Sequence, residues 1–296
     1  MSLKEFLKDK RPSLSDSSIN TYASLLRSLY RKIWDGDVDT DNLKKTSKVL
    51  EALKDVPPNK RKTTLSALVI ATGDEKYRDL MMKDIKSYRE EINKQEKTES
   101  QEENWVTQEE VRAKYNELQK RAAKLYKKHE LTSSDLQHIQ DFVILALLSG
   151  VNIPVRRSKD FTDFKIRDID KKKDNYIDGK ELVFNSYKTA KHYGEQRIKM
   201  NTKLKNILSK WISVNPSDYL LIDSRNQPLV GPNASSTNGA VKLNQRLQKI
   251  FGKKAGVNML RHSILTDKFG GEDDAEKVMK DMGSSTQNLK TYVKKD

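Results

Sequence analysis

The sequence predicts a mainly α-helical protein with one small antiparallel β-sheet, arranged as a helical N-terminal module followed by a mostly helical α+β domain. Three observations carry this. Apolar residues recur at helical spacing through the first 95 positions, a stretch at 94–104 (KQEKTESQEEN) holds no apolar residue, and short strand-like runs appear only between about 161 and 223. At 296 residues, two domains is the natural expectation, since single domains commonly run to roughly 100–200 residues. The expected boundaries are a helical domain at 1–93, an exposed linker at 94–104 and a second domain at 105–296.

Taken in order, SLSDSSINTYASLLRSLYRKIW places Ile19, Tyr22, Leu25, Leu26, Leu29, Tyr30 and Ile33 on one helical face, with Ser15 or Asp16 as N-cap. Pro57 and Pro58 break the chain before KRKTTLSALVIATGD, a short helix with Leu65, Leu68 and Val69. YRDLMMKDIKSYREEI reads as a further amphipathic helix. In the second domain Thr107 and Glu110 form a capping-box start, and DLQHIQDFVILALLSG reads as a buried helix ending at Gly150. FTDFKIRDI, ELVFNSYKT and EQRIKM are expected as strands, and YLLID as a shorter one after the helix KLKNILSKWI. A polar loop covers about 224–239. VKLNQRLQKIF, NMLRHSILTDKF and DAEKVMKDM are the closing helices, ahead of QNLKTYVKKD.

Composition narrows the function. Lys and Arg number 57 against 42 Asp and Glu, a formal net charge of +15. Such a surplus points to a polyanion, most often nucleic acid. The basic stretch Lys60, Arg61 and Lys62 is a candidate for DNA phosphate contact. Cysteine is absent and there are only four His, which excludes disulfides, thiolate metal sites and cysteine nucleophiles. No apolar run is long enough to span a bilayer, and the start MSLKEFLKDKRP has no apolar signal region, so an intracellular protein with no membrane contact is expected. No GxxxxGK[ST] loop, GxGxxG turn or HExxH pair is present. DGDVDTD at 35–41 resembles a calcium loop but has Thr40 and Thr46 where Gly and Glu are needed. No metal site is expected, and the chemistry must rest on Arg, Lys, His and Tyr.

Four segments hold those residues: SGVNIPVRRSKDF (149–161), NSYKTAKHYGEQRIKM (185–200), VNMLRHSILTDKF (257–269) and MGSSTQNLKTYVK (282–294). In this order they resemble the tyrosine recombinase family, the lambda-integrase-like enzymes. Within it they look most like the integrases of large DNA viruses and related mobile elements, through PVRRSKDF, YKTAKHYG and GVNMLRHS.

The resemblance implies a core-binding domain that clamps DNA, then a catalytic domain. It matches Arg157 to the first catalytic Arg, with Arg156 as the competing choice, and Asp160 to the acidic residue that follows it. Lys188 matches the hairpin Lys, with Lys191 as the alternative. Arg261 and His262 match the second Arg and the histidine after it, and Tyr292 the nucleophile. Asn258 and Ser284 stand where the family often has His, and His or Trp; both can hydrogen-bond, but neither shuttles protons near neutral pH.

The implied activity is site-specific recombination or integration through a 3′-phosphotyrosyl intermediate. It needs neither metal nor ATP, and the implied partners are double-stranded DNA and a homotetramer on paired sites. Two other readings stay open: relaxation of DNA by a type IB topoisomerase, and an inactive DNA-binding relative.

Overall fold

The computed structural model describes residues 1–230, 236–269, 275–284 and 289–294. The chain divides into two compact units, Met1–Lys94 and Gln95–Asp296.

The first unit is built from helices α1 (Leu3–Lys10), α2 (Asp16–Ile33), α3 (Thr46–Leu53), α4 (Pro58–Thr72) and α5 (Glu75–Lys94), with a 3₁₀ turn at Asn42–Lys44. Ser15 is the N-cap of α2, accepting from the Ser18 N–H at 3.2 Å. Pro58 opens α4 at its first turn, where its missing N–H costs nothing. The predicted apolar stripe of α2 faces inward: Leu26, Leu29 and Tyr30 are buried against Leu65 and Leu68 of α4 and Tyr77 of α5. Tyr77 anchors the 3₁₀ turn by donating from Oη to the Leu43 carbonyl at 2.6 Å.

The second unit begins with α6 (Glu99–Asn104), α7 (Gln108–Leu125) and α8 (Ser133–Leu148). Residues 94–104, expected as an exposed linker, therefore contain a helix. Thr98 and Gln101 form its capping box, and buried Asn104 accepts from the Lys254 N–H at 2.8 Å through Oδ1. Most of the segment's side chains are nevertheless exposed, and the helix forms because Thr98 and Gln101 cap its first turn. The break between the units falls at Lys94, and Gln95 has a left-handed backbone, φ 59°.

Helix α8 is the core of this unit, as its apolar run predicts; Phe142 through Leu148 are all buried. It stops at Gly150, φ +73°, where a Cβ would meet Ile264 Cδ1 at 2.8 Å. This glycine both supplies the left-handed turn and lets a later helix pack close.

The sheet has three strands, β1 (Tyr176–Asp178), β2 (Glu181–Phe184) and β3 (Gln196–Lys199), antiparallel in that order. Pairing runs Tyr176 to Val183 and Phe184 to Gln196. FTDFKIRDI is not a strand. Its start lies in the short helix α9 (Ser158–Thr162), and Lys165 makes only isolated bridges, to Tyr176 and Tyr219. The reason is the three-residue spacing of Phe161 and Phe164. Both are fully buried and both pack edge-on against Phe184, at 5.7 and 5.8 Å. YLLID is likewise buried but makes only isolated bridges, at Tyr219 and Ile222.

Between β2 and β3 lies the one-turn helix α10 (Ala190–Tyr193). The remaining helices are α11 (Thr202–Val214), α12 (Ser236–Phe251), α13 (Val257–Phe269), α14 (Ala275–Asp281) and α15 (Leu289–Tyr292). Residues 231–235 of the expected polar loop, and 285–288 and 295–296 of the C-terminal segment, lie outside the described residues. Among the described residues no helix is long and apolar enough to cross a membrane.

Candidate active site

Three stretches far apart in sequence meet at Tyr292. The first is the loop between α8 and α9, which carries Arg156 and Arg157. The second is α13, which carries Arg261 and His262 on the helix that packs over Gly150. The third is the turn after α14 at Gly283 and Ser284, with α15 beyond it.

Ser284 is 1% exposed and is the common point. Its Oγ accepts from Arg157 Nη2 at 2.8 Å and from Arg261 Nη2 at 2.8 Å. With both lone pairs taken by guanidinium donors, its own proton remains free to favour the Tyr292 phenolate. Arg157 Nη1 also donates to the Gly283 carbonyl. Arg261 is fully buried; it donates to the Val155 carbonyl at 2.7 Å and the Met282 carbonyl at 3.2 Å, and its Nη2 stands 3.4 Å from Tyr292 Oη. Its guanidinium lies 4.9 Å from the Tyr292 ring centre.

The electrostatic result is a tyrosine tuned toward its ionised form. Burial pushes the Tyr292 phenol up, but the positive charges of Arg261 and Arg157 and the hydrogen bonds from Arg261 and Ser284 outweigh it. The net shift is below the usual tyrosine value.

His262 touches the same residue differently. Its Nδ1 lies 2.9 Å from the Tyr292 carbonyl oxygen. A carbonyl only accepts, so Nδ1 carries the proton. Burial is the largest cause holding His262 below the ordinary histidine range, and the charges of Lys294 and Arg261 add to it against the carbonyl contact. The ring is thus the neutral Nδ1–H tautomer near pH 7. It fixes the backbone of the tyrosine and does not reach its hydroxyl by this bond.

The two adjacent arginines divide their work. Arg156, not Arg157, pairs with Asp160: its Nε donates to Oδ2 at 2.8 Å, one helical turn on. Both are buried, Arg156 completely. Burial pulls Asp160 up and Arg156 down, and their mutual contact opposes both. The Arg156 guanidinium stacks 4.0 Å from the Phe184 ring centre and donates to Gln196 Oε1 at 2.8 Å and to the Asp281 carbonyl at 2.7 Å. Gly283 (φ +64°) sits over it, with room for no Cβ nearer than 3.0 Å to Nη2. So Arg156 and Asp160 form a buried brace behind the site, and Arg157 shares a partner with Arg261. Among the described residues, Arg261 Nε, Arg156 Nη2 and Asp160 Oδ1 are buried without a hydrogen-bond partner.

Lys188 and Lys191 lie between β2 and β3, both exposed. Lys188 precedes Thr189, whose Oγ1 donates to the Gly283 carbonyl at 3.1 Å, the same oxygen that Arg157 contacts. Lys191 sits in α10, a further turn away along the chain. Asn258 is exposed at the start of α13 and lines, with His262, Asn244 and Gln101, an open cavity of about 270 Å³. Thr189 and Gln196 are contacts that the sequence does not announce, although Thr189 stands beside a lysine already singled out.

In the first unit Arg61 is not a free cation. It forms a two-pronged ion pair with buried Asp84 on α5, both contacts at 2.8 Å, and reaches the Leu53 and Lys54 carbonyls at the end of α3. Arg61 is thus held inside the unit by a partner 23 residues on, beyond any local pattern. Lys62 Nζ lies over the Tyr88 ring, 3.0 Å from its centre, and Lys60 is exposed. The exposed face of α2, with Arg27, Arg31 and Lys32 beside Ser24 and Ser28, is basic as well.

No family model matches the sequence, and no curated protein matches it. Solved structures are similar to it, among them two recombinases. XerA recombinase shares 14% identity over 98% of this chain and 93% of its own, with a TM-score of 0.40. The Tn1549 transposon integrase, solved in complex with circular intermediate DNA, shares 12% identity over 100% of this chain and 96% of its own, with a TM-score of 0.51. At that identity the second likeness shows that the chain shares the fold of the Tn1549 integrase.

Proposed function

We propose that this chain is a tyrosine recombinase, a DNA strand transferase that cuts and rejoins DNA through a 3′-phosphotyrosyl intermediate. The observation that carries the proposal is the convergence of Arg157, Arg261 and Ser284 on a tyrosine whose phenol is held below its usual pKa. Two fixed guanidiniums beside a nucleophilic oxygen suit a phosphodiester, because negative charge builds on the non-bridging oxygens during transfer. The fold shared with a transposon integrase supports the reading.

In the proposed reaction Tyr292 gives its phenol proton to water, and its oxygen bonds to phosphorus. The P–O5′ bond breaks, and the leaving oxygen takes a proton from the Lys188 ammonium. A 5′ hydroxyl then reverses the step on the same or another strand. The ester conserves the bond energy, so the chemistry calls for no ATP and no metal. Arg157 and Arg261 hold the phosphate oxygens, with the unpartnered Arg261 Nε as a further donor. His262 holds the nucleophile's backbone, and the Arg156–Asp160 pair holds the loop that presents Arg157.

The first unit, as a core-binding module, grips the duplex through its basic surface. Exposed Lys60, with half-buried Arg61 and Lys62 beside it, is a candidate contact, joined by exposed Arg27 and Arg31 of α2. The active assembly is a homotetramer on two DNA sites inside the cell, and the site motifs resemble those of the integrases of large DNA viruses and related mobile elements. Covalent trapping tests the reading. Wild type should form a denaturant-stable DNA adduct that Tyr292→Phe does not, and the absence of any adduct would leave a DNA-binding protein. Relaxation of a supercoiled plasmid by isolated monomers would move the assignment to a type IB topoisomerase.

A further inference from the structure

Asn175 stands one residue before β1 and is 2% exposed. A buried amide must satisfy two donors and two acceptor positions. Asn175 satisfies all four, and its partners lie on two segments of the proposed site. Its Nδ2 donates to the Asp160 carbonyl at 2.9 Å and to the Ser186 carbonyl at 2.8 Å. Its Oδ1 accepts from the Asn185 and Ser186 N–H groups, both at 2.8 Å. Its own carbonyl accepts from the Lys165 N–H at 2.8 Å.

Asp160 is three residues after Arg157, in the short helix that Arg157 opens. Ser186 is two residues before Lys188, where the chain leaves β2. One side chain therefore bridges the root of the lysine-bearing hairpin and the helix behind the arginine. The connection is rigid on both sides. Asn185 Nδ2 ties the hairpin root to the Lys171 and Asp174 carbonyls at 2.9 and 3.0 Å, and the Asp160 carboxylate is held by Arg156. Beyond Ser186, the tie from Thr189 Oγ1 to the Gly283 carbonyl leaves Lys188 between two anchored points.

We propose that Asn175 is the positioning residue that holds Lys188 in register with Arg157, so that the ammonium meets the leaving oxygen while the guanidinium holds the phosphate. This rests on the strand-transfer reading of the site. Asn175 touches no reacting atom; it acts through the two backbone segments it joins. Without its donors, the hairpin root keeps its strand pairing but loses its tie to α9, and the lysine is no longer fixed relative to the arginine.

The leaving group supplies the test. An alkoxide needs a proton from a general acid, whereas a bridging sulfur leaves as a thiolate without one. A duplex on which wild type forms the adduct is made in two versions, with oxygen or with sulfur at the 5′ bridging position. Asn175→Asp keeps both acceptor positions and removes both donors. On the oxygen duplex it should cut about 10²-fold more slowly than wild type, the low end of what general-acid catalysis supplies. On the sulfur duplex it should fall within about threefold of wild type. Lys188→Ala should show the same asymmetry, and Arg157→Ala should lose rate on both duplexes.

Equal losses on the two duplexes would make Asn175 a merely structural residue and overturn the proposal, as would an unchanged rate on the oxygen duplex. Should Asn175→Asp fail to fold by circular dichroism, Asn175→Ser, which keeps one donor, is judged by the same criterion. Failure of wild type to form an adduct on either duplex is a different result: it removes the strand-transfer reading itself and the assignment with it.

Discussion

Arg157, the N-cap of α9, and Arg261 of α13 donate to a single oxygen, Ser284 Oγ, each at 2.8 Å. Two like charges are brought together there because a hydroxyl and backbone carbonyls accept from their donors. The desolvation of Arg261 is the cost of that arrangement. Such a charge pair suits the anionic phosphate of the proposed reaction.

Removal of either guanidinium should slow adduct formation steeply. Arg157→Gln or Arg261→Gln is expected to cost about 10²–10³ in rate, the usual loss for one preorganised donor. Arg157→Lys should recover only part of it, because an ammonium cannot reproduce two parallel donors. Single-turnover cleavage of a trapped duplex measures both effects.

Tyr292 should titrate below an ordinary tyrosine in the free protein. Ultraviolet difference titration of wild type against Tyr292→Phe isolates its phenol. Ser284→Ala and Arg157→Gln should each move that titration upward, since each removes a group that favours the phenolate. A Tyr292 titration unmoved by Arg157→Gln would count against the arginine's place in the site.

His262 makes stability fall in mild acid. Its folded-state pKa is below its unfolded value, so the unfolded chain binds the extra proton first as pH drops. The contribution is fully present above the ordinary value of about 6.5 and is lost as pH falls through the lowered one. Denaturant melts of wild type and His262→Gln between about pH 7 and pH 5 should show a smaller pH dependence in the variant.

Arg61 and Lys60, adjacent in sequence, should behave oppositely. Asp84→Ala strands a largely buried guanidinium and should destabilise the first unit by about 3 kcal/mol, the low end for breaking a buried pair. Lys60→Ala should leave the melting temperature unchanged and lower the salt dependence of DNA binding by about one unit of slope. Thermal melts and salt-dependent binding isotherms separate the two.

Gly150 ends α8 where α13 packs against it and should tolerate no side chain. Gly150→Ala meets both a left-handed backbone, φ +73°, and Ile264 Cδ1 at 2.8 Å. A loss of about 1–3 kcal/mol is expected, read as a lowered denaturation midpoint with activity falling in parallel.

The helices were legible because their apolar faces repeat every three to four residues; α2, α8, α11 and α13 all lie where that spacing puts them. The contact between Arg261 and Tyr292 was legible only through ordered motifs, since nothing local links two residues 31 apart. Where the reading failed, the reason is non-local pairing. Phe161 and Phe164 look like strand residues until Phe184 arrives to pack on both. Arg61 looks like a surface cation until α5 brings Asp84. Neighbouring Arg156 and Arg157 are indistinguishable in sequence, and only the reach of Asp160 back across one turn of helix separates them. Asn175 gave no signal at all, because an asparagine ahead of a short strand reads as an ordinary turn residue.

The central claim is that Tyr292 bonds to DNA, and the most direct test is to find the bond. The adduct formed on duplex DNA without added metal would be digested with nuclease and trypsin, and the peptides read by mass spectrometry. The account predicts a nucleotide remnant on Tyr292, within the peptide Thr291–Lys294. A remnant on any other residue, or salt-sensitive DNA binding with no covalent peptide at all, would contradict it.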